Sequence, residues 1–269
     1  MSLATSRSSL LPRKERSLAA RLRFSGGLVL VVLFYAVCLH YSQVDLSALW
    51  KGLPRLWTWT SRAWPLDFSE YPVLLQRAAE TVAMATIGTT LGALIAVPLC
   101  LMAARNTSAG GWVYYPARFL LNLLRGIDVF VFAIIFVAAV GLGPFAGVLG
   151  VGLHTAGSIA KLWSEAIETA APGPIEAATM SGASRLKIVS FALVPDVLPS
   201  LASTILYMWE FNVRASTVLG IVGAGGIGQE LKNSVDLLMF DRVFAIILII
   251  LAMVTVIDQI SAFARRRLA

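Results

Sequence analysis

Residues 73–102 read VLLQRAAETVAMATIGTTLGALIAVPLCLM, a long apolar run whose only charged side chains are Arg77 and Glu80. A transmembrane helix needs about 20 predominantly apolar residues, so this run is long enough to cross a membrane. It ends in Ala103-Ala104-Arg105-Asn106. Basic residues collect at the cytoplasmic ends of membrane spans, so the arginine predicts that this end faces the cytoplasm.

The composition extends this prediction to the whole chain. Hydrophobic residues make up 58% of the sequence, and 14% is charged, against about 25% charged residues in a soluble domain. A soluble protein this apolar cannot cover its surface with polar groups. The 269 residues have room for about six spans of roughly 20 residues with their connections. We therefore predict an all-α integral membrane protein of about six transmembrane helices.

The sequence divides into three predicted regions. Residues 1–23 form a basic cytoplasmic N-terminus, residues 24–72 hold the first helix and a Trp-rich stretch, and residues 73–269 form the core domain. The Trp-rich stretch, 45–71, is expected along the outer membrane surface, where tryptophan is enriched. The predicted spans are 24–41, 73–102, 112–140, 145–167, 200–222 and 243–264.

The net charge of +7 is concentrated near the two ends of the sequence. Basic residues beside membrane spans mark the cytoplasmic side, so both termini are predicted to be cytoplasmic and the number of spans even. Such placement favours lipid contact over nucleic-acid binding, and no nucleic-acid partner is expected. The residues concerned are Arg7, Arg13, Lys14, Arg16, Arg21, Arg23, Arg265, Arg266 and Arg267.

A polar, proline-punctuated segment, 168–199, separates the fourth and fifth predicted spans. Within it, residues 176–195 suggest two short helices joined by a bend at Gly182. Apolar residues recur there at helical spacing. On physical grounds this apolar stripe packs either on the membrane surface or on a partner protein, and the pattern does not choose between them.

The same segment resembles the coupling-loop signature of ABC importer permeases. The matching residues are Glu176, Ala177, Ala178, Gly182 and Pro195. Ala192 and Val194 replace the isoleucine and leucine usual in that signature, which exchanges one apolar residue for another. The resemblance implies the type I ABC importer permease fold and a loop that docks on an ATPase subunit.

Two further stretches, 135–147 and 212–230, resemble the phosphonate-type permeases in particular. The resemblance implies a pathway for phosphonate, phosphite or phosphate-like anions. The third span keeps that family's Asn122, Arg125 and Ile127, but Asp128 and Val129 replace its proline and glutamate. The pathway geometry near Asp128 is therefore left open.

The resemblance also implies the location of the protein and its partner subunits. It predicts a multi-pass protein of the plasma membrane of a prokaryote, without a cofactor of its own. Its expected partners are two copies of an ATPase that bind ATP and magnesium, a second permease copy or a related permease, and an extracytoplasmic substrate-binding protein.

Charged residues inside spans are costly and are functional candidates by default. Glu210 and Arg214 lie four residues apart, the spacing at which opposite charges meet on one helix face. They form either a structural ion pair or a site where Arg214 meets a passing anion. The roles of Glu80 and His154 are left open. The predicted pathway residues are Arg125, Glu210, Arg214, Ser216, Thr217, Gly223, Gly225, Gly226 and Gly228.

The glycine cluster 223–228 formally fits the dinucleotide fingerprint G-x-G-x-x-G. That motif requires a βαβ unit, whereas a predicted transmembrane helix precedes this one. No Lys-Ser or Lys-Thr follows to make a phosphate-binding P-loop, so the ATPase is expected in another chain. Irregular backbone at membrane depth is tolerated only inside protein or beside a water-filled cavity, and its N–H groups could face an oxyanion.

Three alternative functions are kept. The first is a permease for another small solute, such as an amino acid. The second is a membrane enzyme, although the sequence holds neither an H-E-x-x-H pair nor a G-x-S-x-G elbow. The third is an ion channel, which does not explain the cytoplasmic loop.

Cys38 and Cys100 lie far apart, without a metal-type spacing.

Overall fold

The computed structural model describes residues Leu18–Leu268, without the side chains of 18–25 and of Arg185. The basic N-terminal side chains predicted to be cytoplasmic lie outside the described residues. Within the described range every regular element is a helix. The helices are α1 (Leu18–Tyr41), α2 (Leu46–Arg62), α3 (Tyr71–Ala103), α4 (Gly111–Gly126), α5 (Val129–Val140), α6 (Pro144–Glu168), α7 (Pro172–Met180), α8 (Arg185–Ile188), α9 (Val194–Leu219), α10 (Ile227–Asp236) and α11 (Phe240–Leu268).

The described helices confirm an all-α membrane fold. Four are long and apolar enough to cross a membrane, and two bent pairs raise the count to as many as six. The four are Tyr71–Ala103, Pro144–Glu168, Leu186–Val222 and Phe240–Leu268. The bent pairs are Gly26–Tyr41 with Leu46–Arg62 and Gly111–Gly126 with Val129–Val140.

The chain packs as two units, divided between Thr58 and Trp59. The first unit holds α1 and most of α2. The predicted Trp-rich surface stretch is largely the helix α2, which begins where Asp45 accepts hydrogen bonds from the backbone of Ser47 at 2.8 Å and of Ala48 at 3.2 Å. This is the N-terminal capping that a carboxylate provides.

The centre of the second unit is the contact between α3 and α6. Gly88 lies so close to Val151 that a Cβ on the glycine would approach within 2.7 Å of its Cγ1. One turn on, a Cβ on Gly92 would lie 2.8 Å from the carbonyl oxygen of Gly152. Small residues let helix backbones approach closely, which is how helices associate in membranes. These two helices therefore form the rigid frame on which the remaining helices pack.

The third predicted span, 112–140, is wrong as a single helix. The structure divides it into α4 and α5, which meet at 88°. The break lies at Ile127 and Asp128, where the carboxylate of Asp128 accepts the backbone N–H of Phe130 at 2.8 Å and so begins a new helix. His154 of α6 holds the other side of the break, its Nδ1 lying 2.9 Å from the carbonyl oxygen of Ile127.

The helical run that contains the fifth span is longer than the predicted 200–222. From Leu186 the chain runs helically through α8, a five-residue π-helical segment (Val189–Leu193) and α9, then through a short 3₁₀ turn to Val222. A glycine turn follows. The short helix α10 then precedes α11 and was not predicted, because the sequence analysis assigned no helix between 222 and 243.

Candidate transport pathway and coupling surface

The predicted pair of Glu210 and Arg214 is present in α9, and it is part of a larger cluster. One oxygen of Glu210 accepts from Arg214. The other accepts from Arg265 in the last turns of α11, at 3.0 Å. Arg265 also donates to the hydroxyl of Ser261 at 2.5 Å. Sequence reasoning missed Arg265 as a partner, since it treated this arginine only as a marker of membrane sidedness.

Arg214 lines a cavity of about 440 Å³ between α9 and the start of α5. Asp128, the residue that caps the start of α5, lines the same cavity as Arg214. Apart from these two charged residues and Tyr207, the lining is apolar. The lining residues are Asp128, Val129, Phe130, Tyr207, Phe211, Arg214, Ala215, Val218 and Leu219.

Arg125 does not line this cavity. Its side chain is exposed, and it makes no ion pair with another described residue. Asp128, three residues later, instead uses its carboxylate to begin α5. Of the two predicted pathway arginines, only Arg214 therefore faces the cavity.

The two predicted hydroxyl residues of α9 occupy different places. Ser216 is fully buried, and its Oγ has no hydrogen-bond partner among the described residues. Thr217 donates to the carbonyl oxygen of Arg214 at 2.7 Å. One turn before Ser216, the buried Asn212 donates to Thr89 and Thr155, each at 2.8 Å, and so joins α9 to α3 and α6. Ser216 lies on this inward side, away from the cavity.

The predicted glycines form a tight turn packed inside the protein. Gly223, Gly225 and Gly226 all have positive φ angles, of 86°, 82° and 72°, which glycine adopts without steric cost. The carbonyl oxygen of Gly223 accepts from the backbone of Gly143 at 2.9 Å. A side chain on Gly228 would collide with the carbonyl oxygen of Thr217. The turn therefore acts mainly through close packing.

Hydrogen bonds anchor this turn to α3. The backbone N–H of Ile227 donates to the hydroxyl of the buried Thr81 at 2.9 Å. Glu80 lies beside the turn, where a Cβ on Gly225 would approach its Oε1 within 2.8 Å. Glu80 is itself paired with Arg77 at 2.9 Å. The structure thus gives Glu80 a place in the support of the glycine turn.

Further ion pairs surround α10. Glu230 of α10 meets Arg77 of α3 at 3.4 Å and Arg242 of α11 at 3.2 Å. Arg242 also contacts Glu70, at 2.8 Å. These pairs bind the short helix to both neighbouring spans. Sequence reasoning missed them because their members lie far apart along the chain.

The coupling-loop residues form an exposed surface. Glu176, Ala177 and Ala178 lie in α7, whose residues are all at least partly exposed. Gly182 ends the turn after α7 with a φ of 74°, and Pro195 lies in the first turn of α9. Three large apolar side chains are strongly exposed on this surface: Met180, Leu186 and Phe191.

A polar cluster fastens the ends of α3 and α6 and the start of α4. Glu168 accepts from the side chain of Arg118 at 2.6 Å and from the backbone N–H of Arg105 at 2.8 Å. Both arginines lie over the ring of Tyr114. The hydrogen bond from Arg105 to the Tyr114 hydroxyl is the largest influence raising the pKa of this exposed arginine. The cluster fixes the helix ends that border the coupling surface.

Within Leu18–Leu268, no group of three or more His, Cys, Asp or Glu side chains is arranged to hold a metal ion.

Comparison with known proteins identifies the protein family to which this chain belongs. Residues 73–269 match the family described as the binding-protein-dependent transport system inner membrane component. The chain belongs to this family of multi-pass inner-membrane permeases. It is a transport subunit of an ABC importer, and such a permease works with an ATPase and a substrate-binding protein.

Individual relatives of this chain include permeases named for the transport of phosphite and phosphate. HtxC of Stutzerimonas stutzeri, a proposed phosphite transport system permease, is 49% identical over 94% of this chain and 89% of its own length. The phosphite transport system permease protein PtxC of the same organism is 42% identical, over 85% and 83%. The phosphate-import permease protein PhnE of Mycolicibacterium smegmatis is 38% identical over 79% of this chain, which spans 42% of that protein.

Solved structures show the fold. The permease of the MetNI methionine ABC transporter, in inward-facing conformations, superposes with a TM-score of 0.67 over 76% of this chain and 100% of its own, at 22% identity. A chain of an amino acid ABC transporter crystallised with histidines superposes with a TM-score of 0.64, at 17% identity, over 75% and 99%. These neighbours confirm the predicted type I ABC importer permease fold.

Proposed function

We propose that this permease carries a small phosphorus oxyanion, of the phosphite, phosphonate or phosphate type, across the inner membrane. The observation that carries the proposal is the guanidinium of Arg214 at the wall of the cavity between α5 and α9. A guanidinium donates two hydrogen bonds in a fixed planar fork that suits such oxyanions. Two of the relatives named above, HtxC and PtxC, are described as a proposed phosphite permease and a phosphite permease, which agrees with this chemistry.

The charge at Arg214 is available to a ligand. Its side chain is 49% exposed, whereas that of its partner Glu210 is 12% exposed. Asp128 faces the same cavity, but it lies at the start of a helix, where the positive end of the helix dipole offsets part of a negative charge. The cavity wall can therefore attract an anion despite the nearby carboxylate.

The exposed surface formed by the coupling-loop residues supports a second proposal, that this permease docks on an ATPase subunit. Because Met180, Leu186 and Phe191 are exposed beside α7, they suit burial against another protein. We infer that this surface seats in an ATPase subunit that binds ATP and magnesium. The proposed complex has two such subunits, a second permease copy or a related permease, and an extracytoplasmic binding protein, with both termini of this chain in the cytoplasm.

The test is uptake by the purified complex in proteoliposomes. The complex, with its ATPase and binding protein, is supplied in turn with labelled phosphate, phosphite, methylphosphonate and methionine. We expect ATP-dependent uptake of at least one oxyanion and none of methionine. A complex with a hydrolysis-deficient ATPase is the matched control. Uptake of methionine without any of the three oxyanions would refute the proposal in favour of the amino acid permease.

A further inference from the structure

The cluster at the α9–α11 contact has one carboxylate and two guanidiniums. The two oxygens of Glu210 are divided between Arg214 on the same helix and Arg265 on α11. Two arginines and one glutamate give the cluster a formal charge of +1. Because the side chain of Glu210 is only 12% exposed, water solvates its negative charge poorly, and the carboxylate needs a positively charged partner.

The two arginines are held differently. Arg265 is 29% exposed, and it is fixed from two sides, by Glu210 and by the Ser261 hydroxyl. Ser261 is fully buried and in turn donates to the carbonyl oxygen of Leu206 at 3.1 Å, so this anchor belongs to the packed α9–α11 contact. Arg214 is 49% exposed and lines the cavity, with Glu210 as its ion-pair partner among the described residues. Arg214 is thus held by fewer side-chain contacts than Arg265.

We propose that Arg265 is a positioning residue that keeps Glu210 neutralised, so that Arg214 can turn from Glu210 to an oxyanion in the cavity. This inference rests on the proposed function. A carboxylate that loses its only partner in a poorly solvated site is strongly destabilised. With Arg265 in place, Glu210 keeps one partner when Arg214 leaves. Without Arg265, Glu210 holds Arg214 and competes with the oxyanion for it.

A purely structural role makes a different prediction. If the Glu210–Arg265 pair only fastens α9 to α11, removing both charges leaves the two helices as poorly connected as removing one. If Arg265 acts by occupying Glu210, removing the carboxylate as well releases Arg214. The double variant E210Q/R265Q therefore separates the two roles.

The experiment uses the complete complex in proteoliposomes. Its binding protein is saturated with a labelled oxyanion that the wild type transports, chosen from phosphate, phosphite and methylphosphonate. R265Q is expected to lower the maximal uptake rate roughly tenfold, the scale of one charge-assisted hydrogen bond. R265K, which keeps the charge, should retain most of the rate. E210Q/R265Q should recover most of the rate lost in R265Q. R266Q, at a neighbouring exposed arginine, is the matched control and should transport normally.

A double variant as slow as R265Q, or an R265Q rate equal to that of the wild type, would overturn the inference. Assembly is followed by gel filtration of each complex. Should R265Q fail to assemble, the double variant still decides, because it lacks the carboxylate that would hold Arg214 and is expected to assemble and transport. Absence of all oxyanion uptake by the wild type would instead remove the proposed function, and this inference with it.

Discussion

At the scale of single residues, Gly226 shows how backbone conformation fixes a residue type. Its φ of 72° and ψ of −169° lie in a region that is essentially restricted to glycine. A Cβ there would also collide with the Thr81 hydroxyl, which accepts the N–H of Ile227. The position therefore combines an unusual conformation with a close approach to α3.

We expect G226A to destabilise the protein by at least ~1–3 kcal/mol, the cost of such a conformation for a residue with a side chain. The measurement is the thermal stability of the detergent-solubilised complex, followed by gel filtration. G173A is the control, since a Cβ on Gly173 meets no atom within 4 Å. Equal melting of the two variants would show that the glycine turn is looser than described.

At the scale of helices, the break between α4 and α5 was the main error of the sequence-based prediction. The apolar run 112–140 is nearly continuous, and its length suits a single span, so composition concealed the bend. The signal was Asp128, a residue type that favours the N-cap position directly before a helix. The absence of the family's proline left the geometry at that position open, and the cap was overlooked.

The capping role of Asp128 predicts different effects of two substitutions. D128A removes the acceptor for the N–H of Phe130 and should cost about 1 kcal/mol. D128N keeps an acceptor oxygen and should melt close to the wild type. Thermal melting of the two complexes compares them. If D128A and D128N lose the same stability, the negative charge rather than the cap is what matters there.

The coupling segment is the element that the sequence described best. Its residue pattern predicted two short helices and a bend at Gly182, and the structure has α7, a turn at Gly182 and then α8. Local signals sufficed because the segment's contacts are mostly local. By contrast, Glu210 and Arg265 are 55 residues apart, and no periodicity of a single chain could pair them.

We expect Gly182 to be essential for coupling ATP hydrolysis to transport, because its backbone has a positive φ angle. Its φ is 74° and a Cβ would meet no atom within 4 Å, so the cost of substitution there is conformational. G182V should lower uptake coupled to ATP hydrolysis while the protein still inserts. G182N should retain more, since asparagine tolerates positive φ. Normal coupled uptake by G182V would show that the shape of this turn does not position the docking surface.

At the scale of the whole molecule, the basic ends predict the orientation in the membrane. Composition and apolar runs are global properties, and for that reason the sequence alone predicted the membrane class and the approximate number of spans. The sidedness rests on the distribution of lysine and arginine.

Cysteine labelling tests this orientation. In a background in which Cys38 and Cys100 are replaced, S2C and L268C should react with an impermeant thiol reagent only after the membrane is opened. A cysteine at Gln43, which follows α1 and is exposed, should react in intact cells on the predicted topology and serves as the matched control. Reaction of either terminal cysteine in intact cells would reverse the assignment.

The continuous helical run Leu186–Val222 also has a mechanical consequence. With 37 residues at about 1.5 Å each it is roughly 55 Å long, so a tilt of about 5° at its base moves the far end by roughly 5 Å. The π-helical segment Val189–Leu193 lies at that base, where its different hydrogen-bonding pattern interrupts an otherwise regular rod. A tilt at this segment would move Arg214 and the glycine turn together, because both lie on the far side of it along the chain.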